Sequence, residues 1–196
     1  IHEIVAQAKA LGMDSLAITD HGVMYGVIDF YKACVAEGIH PVIGCEVYVA
    51  NGSRFQKEDR RDATYDHLVL LAENNQGYHN LMMLVSKGFT EGFYYKPRVD
   101  MELLNQYHEG IIALSACLAG EVARGIQKGL VDEAKKAALK YQECFGKGNF
   151  FLELQDHGIP AQRLVNTTLL SMSKELDIPL VVTNDVHYTY PEDEKP

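Results

Sequence analysis

Residues 180–190 read LVVTNDVHYTY, a stretch that bears on both the fold class and the site. A β-branched apolar run typical of a buried strand stops abruptly at Asn184 and Asp185, with His187 two residues further on. In parallel α/β folds the loops after the strands converge on one face of the sheet or barrel, so groups that do chemistry collect there. The stretch therefore predicts that Asp185 and His187 belong to a functional site.

Short apolar runs of strand length alternate with helical stretches along the whole chain. The predicted strands are 15–19, 41–49, 67–72, 110–116, 150–154 and 179–184. Because these strands are near-continuous apolar runs, the alternation predicts an α/β fold with a parallel sheet whose outer face is covered by helices. An open doubly wound sheet and a closed or distorted barrel both fit six strands.

Length and composition indicate one ordinary globular domain over residues 1–196. The net charge of −9 argues against a surface that holds nucleic acid mainly by neutralising phosphates, although nucleic acid gripped through metal ions is not excluded. The four cysteines form no CxxC pair, and the chain shows no signal peptide and no membrane-length apolar run. These features favour a reduced, cytoplasmic setting without a membrane.

Five of the six predicted strands lead to residues that can bind a metal. These residues are His21, Glu46, Cys117, Asp156 with His157, and Asp185 with His187. Their mixture of imidazole, carboxylate and thiol suits zinc or manganese better than magnesium, which prefers oxygen ligands. An extended backbone through Asp185 and His187 would place both side chains on one face, within reach of one metal cluster.

Several of these residues also have a purely structural explanation. Asp20, His21 and Gly22 could form an ordinary strand-to-helix turn with Asp20 as the helix cap, and a lone cysteine is more often a buried apolar side chain. Glu46 is harder to explain in this way, because an unpaired carboxylate inside IGCEVYV is costly to bury. His67 lies at the beginning of its predicted strand, so two interpretations remain, a hydrogen-bonded core histidine and a metal ligand. The remaining histidines without a strand-end partner are interpreted as surface or structural: His2, His40, His79 and His108.

Seven motifs, taken in order, resemble one family. ITDHG, GCEVYVA, HLVLLAENNQGYHNL, EGFYYKPRVD, LSACLAGEV, ELQDHG and TNDVHY are similar to the polymerase and histidinol phosphatase (PHP) domain of the bacterial DNA polymerase III alpha subunit. The resemblance covers essentially the whole chain, and EGFYYKPRVD and LSACLAGE are features of the polymerase branch. It implies a distorted βα barrel with up to three divalent metal ions.

The resemblance also implies a ligand set. The positions that match family ligands are His21, Glu46, His67, Cys117, Asp185 and His187. Asp20 would be a neighbour of the site, and Asp156 with His157 would match a family feature that has no assigned metal role. The family's first motif, a His-x-His on the first barrel strand followed by an Asp, would precede Ile1. We therefore expect a piece of a longer protein that lacks three ligands and the first strand.

The implied activity is metal-dependent phosphoester hydrolysis, with a 3′–5′ exonuclease of the proofreading type as the expectation for the intact parent. The metals would activate a water, and no catalytic residue beyond the ligands is implied. The implied partners are DNA reached through the parent polymerase, the other alpha-subunit domains and a separate proofreading subunit. One alternative is an inactive structural module that braces the polymerase and docks that subunit. A second, a histidinol phosphate phosphatase, is disfavoured by the polymerase-branch motifs.

Residues 91–100, EGFYYKPRVD, are predicted to be irregular and combine aromatic side chains with Lys96 and Arg98. One interpretation is a nucleic-acid contact through stacking and phosphate pairing. The overall acidity favours the other, in which the segment packs against the rest of the polymerase.

Overall fold

Helices and strands alternate from end to end in the computed structural model of the chain, which describes residues 1–194. The strands are β1 (Ser15–Ile18), β2 (His40–Ala50), β3 (Tyr65–Ala72), β4 (Phe93–Tyr94), β5 (Lys96–Val99), β6 (Ile111–Leu114), β7 (Phe150–Leu154) and β8 (Leu180–Val182). The α-helices are α1 (His2–Ala10), α2 (Val27–Glu37), α3 (Asn75–Thr90), α4 (Met101–Gln106), α5 (Glu121–Gln127), α6 (Val131–Phe145) and α7 (Pro160–Leu176). Two short 3-10 helices cover Arg60–Ala63 and Pro191–Glu194.

The strands form one sheet that curls into a half-barrel, which confirms the predicted α/β, barrel-type fold. Its main path is β4-β5-β2-β3-β6-β7-β8, and β1 pairs in parallel with the first half of β2. The prediction of a parallel sheet was wrong in one respect, because β3 runs antiparallel to both β2 and β6. A strand covered on both faces reads as a continuous apolar run in either direction, so the apolar pattern of β3 did not reveal its orientation.

The two faces of β3 show how the sheet divides the interior. Leu68 and Leu70 lie in the main core together with Leu81 and Leu84 of α3. Val69, on the opposite face, belongs to a separate small cluster with Leu114 and Ala116. Because side chains alternate along a strand, His67 shares the inner face with Val69. This inner face carries the candidate site.

Residues 91–100 form a hairpin instead of the irregular segment predicted. Phe93 of β4 pairs with Pro97 of β5, and Tyr95 at the tip adopts a left-handed φ of 60°. Strand β5 then pairs in parallel with the end of β2, where Arg98 lies opposite Tyr48. The hairpin therefore continues the sheet along the part of β2 that β1 does not cover.

Arg98 is buried inside the domain, so its side chain takes part in neither of the two interpretations of residues 91–100. Its side chain is 0% exposed, so it contacts neither nucleic acid nor another domain. The guanidinium donates hydrogen bonds to four backbone carbonyls, those of Gly92, Arg54, Gln56 and Asp62. Arg98 thus fastens the connection between β2 and β3 to the hairpin. Lys96, in contrast, is exposed, and its Nζ lies 5.4 Å from the centroid of the Tyr48 ring.

Within residues 1–194 no helix is both long enough and apolar enough to cross a membrane.

Candidate metal centre

The pairing of β2 with β3 brings Glu46 and His67 together. Glu46 lies within β2 rather than at its end, opposite Val69, and His67 lies opposite Tyr48. Diagonal neighbours on one face of an antiparallel pair are within side-chain reach, and Nδ1 of His67 lies 2.5 Å from Oε1 of Glu46. The beginning of an antiparallel strand lies beside the end of its partner, so His67 reaches the site from the start of β3. Glu46 is only 4% exposed, and its carboxylate is therefore buried together with His67 as its partner.

The segment after β1 places His21 on the other side of the Glu46 carboxylate. Gly22 N donates to Glu46 O at 2.9 Å and Glu46 N donates to Asp20 O at 3.1 Å, so the chain follows β2 beyond the end of β1. Nδ1 of His21 lies 3.8 Å from Oε2 of Glu46. The ligand atoms of His21, Glu46 and His67 all lie within 4.8 Å of one another.

The alternative explanation for Asp20, His21 and Gly22, a turn in which Asp20 caps the next helix, is wrong. The N-cap of α2 is Gly26 and makes no side-chain cap hydrogen bond, so Asp20 does not cap that helix. Gly22 has a left-handed φ of 69°, and a Cβ at this position would come within 2.9 Å of Tyr48 and Pro97. The glycine is thus required where the chain turns away from β2 beside His21.

A tight turn after β6 brings Cys117 to the same group. Ala116 adopts a left-handed φ of 62°, and His67 N donates to Ala119 O at 3.1 Å. Sγ of Cys117 lies 3.7 Å from Nδ1 of His67 and 3.8 Å from Oε1 of Glu46. A left-handed alanine costs about 1–2 kcal/mol, and such strain collects at functional sites. Cys117 is partly exposed and faces polar groups, so it is not simply a buried apolar side chain.

Asp185 and His187 meet, but not through the extended backbone predicted from their spacing. Strand β8 ends at Val182, and Asp185 adopts a left-handed φ of 46°. Nδ1 of His187 lies 2.9 Å from the Asp185 carbonyl oxygen and 3.8 Å from Asp185 Oδ1. The His187 ring centroid is 6.0 Å from that of His21. The closing pair therefore lies beside His21, at the edge of the group around Glu46.

The charge state of His67 follows from its surroundings. Burial lowers the pKa of His67, but hydrogen bonds to Cys117 and to Glu46 outweigh burial and raise it to about 9. The imidazole is consequently a cation beside the Glu46 carboxylate at neutral pH when no metal is bound. Two imidazoles, a carboxylate and a thiol are the donors that divalent first-row metals prefer, so the residues present fit such an ion.

Tyr48 is a site neighbour that the sequence analysis missed. Its ring stacks on His21 at a centroid distance of 6.2 Å and meets the His67 ring edge-on at 5.4 Å. Burial raises the pKa of the Tyr48 hydroxyl. The alternation of GCEVYVA puts Tyr48 on the same face as Glu46, which is the signal that could have revealed it.

Glu153 of β7 was also missed, although a carboxylate inside an apolar strand is the signal that identified Glu46. The residue is 5% exposed, and its Oε1 accepts hydrogen bonds from Gln155 Nε2 and Thr183 Oγ1. Its Oε2 is buried and has no hydrogen-bond partner among the described residues. Burial raises the pKa of Glu153, the two hydrogen bonds oppose that shift, and the charges of Glu46 and Asp185 add to it.

Comparison with known proteins gives the family. The family model described as the PHP domain matches residues 1–157. The chain belongs to the PHP domain family. The DNA polymerase III subunit alpha of Treponema pallidum is 50% identical to this PHP domain over 194 residues, covering 98% of the chain and 17% of that protein. The corresponding subunits of Borreliella burgdorferi and Aquifex aeolicus are 44% and 43% identical, again over 98% of the chain and 17% of each protein. The PHP domain therefore spans about a sixth of the length of these relatives.

Two solved structures share the fold of this PHP domain. A protein assigned as a metal-dependent phosphoesterase from Bifidobacterium adolescentis matches with a TM-score of 0.58 at 15% identity, over 97% of this chain and 83% of that chain. An amidohydrolase from Chromobacterium violaceum matches with a TM-score of 0.56 at 13% identity, over 98% of this chain and 83% of that chain. At these identities the likeness concerns the fold alone.

Proposed function

We propose that residues 1–196 are a single PHP domain of a DNA polymerase III alpha subunit and that the domain is a metal-dependent phosphoesterase with 3′–5′ exonuclease activity. The observation that carries the proposal is the cluster of His21, Glu46 and His67, whose ligand atoms lie within 4.8 Å of one another. The thiol of Cys117 extends this cluster at 3.7–3.8 Å. The proposed partners are DNA, the other domains of the subunit and a separate proofreading subunit.

The proposed metal ligands are His21, Glu46, His67, Cys117, Asp185 and His187, and the proposed metal is zinc or manganese. The two oxygens of Glu46 face different groups, Oε1 towards His67 and Cys117 and Oε2 towards His21. One buried carboxylate can thus serve two neighbouring sets of ligands. Bound divalent ions would polarise a phosphate and activate a water for in-line attack.

The protein supplies position and charge for this chemistry. Glu46 is held by β2, His67 by β3 and His21 by the segment bonded to β2, so three ligands stand on one paired backbone unit. Ligands on strands are placed more reproducibly than ligands on free loops. A net charge of −9 offers little attraction for DNA, so we expect substrate phosphate to be held mainly through the ions.

The test measures metal content and hydrolysis on the same preparations. Plasma mass spectrometry after exchange into chelator-free buffer should find zinc or manganese near stoichiometry, and His67→Gln should remove most of it. Exposed His79 on α3 provides the matched control, and His79→Gln should leave the metal content unchanged. Release of 3′-terminal nucleotides from single-stranded DNA, lost in His67→Gln, supports the exonuclease. Hydrolysis of histidinol phosphate without hydrolysis of DNA would replace it with a small-molecule phosphatase.

A structural role within the longer subunit is favoured by one surface feature. Ile28, Tyr31 and Val35 follow helical spacing along α2, and each is more than half exposed. An apolar helix face of this kind marks a contact surface, and the relatives are about six times longer than this chain. The full-length subunit carrying Ile28→Glu should lose thermal stability while its metal content stays the same. An unchanged melting temperature would count against this contact.

A further inference from the structure

We propose that Glu153 and His157 are positioning residues that clamp the segment after β8 and thereby present Asp185 and His187 to the metal centre. This inference rests on the proposed metal-dependent function. It gives a role to His157, which follows β7 and matches none of the expected ligands. The two contacts of the clamp fall on Thr183 and Asn184, the residues directly before Asp185.

His157 holds the main chain of the segment. Its Nε2 lies 2.6 Å from the carbonyl oxygen of Asn184, and its Nδ1 lies 2.9 Å from Nε2 of Gln162. An amide nitrogen is only a donor, so Nδ1 must accept and the ring proton must reside on Nε2, which then donates to Asn184. The partners of His157 therefore select the tautomer that holds the segment.

Gln162 makes this arrangement rigid. It lies in the first turn of α7, is 5% exposed, and its Oε1 accepts a hydrogen bond from the backbone N of His157 at 2.8 Å. Both ends of one buried amide are thus committed to one histidine. These two hydrogen bonds hold the imidazole of His157 against α7 in one orientation.

Glu153 holds the side chain of Thr183, the residue before Asn184. Glu153 lies opposite Val181 in the parallel pairing of β7 and β8, and its Oε1 accepts the hydroxyl hydrogen bond of Thr183. Gln155 donates to the same oxygen at 3.1 Å. The buried carboxyl group therefore anchors the last part of the chain that still follows the sheet.

The residue that follows these two anchors is strained. Asp185 has a φ of 46°, and a left-handed conformation of a non-glycine residue persists only when its surroundings determine it. His187, whose side chain is 61% exposed, takes its position from Asp185 through the 2.9 Å contact with the Asp185 carbonyl. Without the anchors, we expect Asp185 to relax and His187 to leave the neighbourhood of His21.

The first measurement is amide hydrogen exchange in the presence of chelator. His157→Ala should speed exchange of the Thr183 amide, which donates to Leu154 O at 3.1 Å, and leave β2 and β3 unchanged. His157→Gln retains an N–H donor close to the position of Nε2 and should restore slow exchange. Thr183→Val tests the Glu153 anchor without loss of side-chain volume and should act like His157→Ala. Exposed His108 provides the control, His108→Ala, with exchange like that of the wild type. Unchanged exchange in both His157→Ala and Thr183→Val would overturn the clamp.

The second measurement is the affinity for Mn²⁺ by calorimetry. Removing groups that orient metal ligands typically weakens metal binding about 10–100-fold, and we expect His157→Ala to lie in that range with partial recovery in His157→Gln. Wild-type affinity in His157→Ala would overturn the positioning role while the proposed function stands. If the wild-type chain binds neither Mn²⁺ nor Zn²⁺, the proposed function fails, and the positioning of metal ligands fails with it.

Discussion

The contacts of His67 with Cys117 and Glu46 predict that the metal-free protein loses stability at alkaline pH and that a substitution at Glu46 reduces the effect. The folded-state pKa of His67 is about 9, against an ordinary value of 6.5. A histidine whose pKa is raised by folding stabilises the folded state fully below its unfolded pKa, and the contribution disappears as the pH rises through the folded value. At about pH 7 the contribution is about 2–3 kcal/mol, and above about pH 10 it is near zero.

The assay is urea unfolding in chelator at about pH 7 and about pH 10, compared between the wild type and Glu46→Gln. The hydrogen bond to Cys117 and the contacts with Glu46 both raise the pKa of His67, and Glu46→Gln removes the second contribution. The difference in unfolding free energy between the two proteins should therefore shrink by about 1 kcal/mol at the higher pH. Groups that Glu46 does not influence cancel in the comparison, and burial raises the pKa of the Cys45 thiol to about 12, so that thiol stays neutral in the folded state. Exposed Glu73 provides the matched control, Glu73→Gln. A constant difference across this pH range would refute the ion pair.

Three further predictions concern metal binding and buried charges. Because a metal must displace the His67 proton and the proton of the Cys117 thiol, affinity for Zn²⁺ should rise at least about tenfold per pH unit below about pH 9, and calorimetry that shows a shallower dependence would contradict this. Arg98→Met leaves four carbonyls without their charged donor and should lower the unfolding free energy by more than about 3 kcal/mol in urea, while metal content is retained; a loss below about 1 kcal/mol would count against the buried network. The pKa of Glu153 is raised by folding, so the protonated carboxyl stabilises the folded state at acidic pH and this stabilisation is lost as the pH rises. Glu153→Gln should therefore raise the unfolding free energy of the metal-free protein by about 1 kcal/mol at neutral pH. The gain should vanish towards acidic pH. Equal melting temperatures at neutral pH would disprove the last point.

The sequence was informative where one element determines the outcome. Apolar runs located all six predicted strands within a few residues, because burial of a strand is visible in its own composition. The direction of β3 is set by its neighbours and left no trace in that composition. The hairpin of β4 and β5 was missed because strands of two and four residues, one with Pro97, are too short to show a period.

In the candidate site too, residues recognisable from a single element were predicted, and residues that depend on neighbouring strands were not. His21 and Cys117 were found because they follow strands, and the structure places both near Glu46. His67 required the family resemblance, because strand-end reasoning assumes parallel neighbours and His67 begins an antiparallel one. The roles of Tyr48 and Glu153 depend on contacts between strands that are far apart in the chain. Local patterns single out both residues, but their partners are known only after the sheet has formed.

The register between β2 and β3 limits how the chain can change during evolution. A single-residue insertion or deletion inside either strand would rotate Glu46 or His67 to the helix-covered face and separate the pair. Within the connection between β2 and β3, residues 57–61 lie between the Gln56 and Asp62 carbonyls that Arg98 holds, and each doubling of such a loop costs only about 0.6 kcal/mol of closure entropy. Changes in length among descendants that keep a working centre should therefore accumulate in this connection and spare both strands. The pairing of β2 with β3 fixes the positions of Glu46 and His67, and the connection absorbs the changes in length.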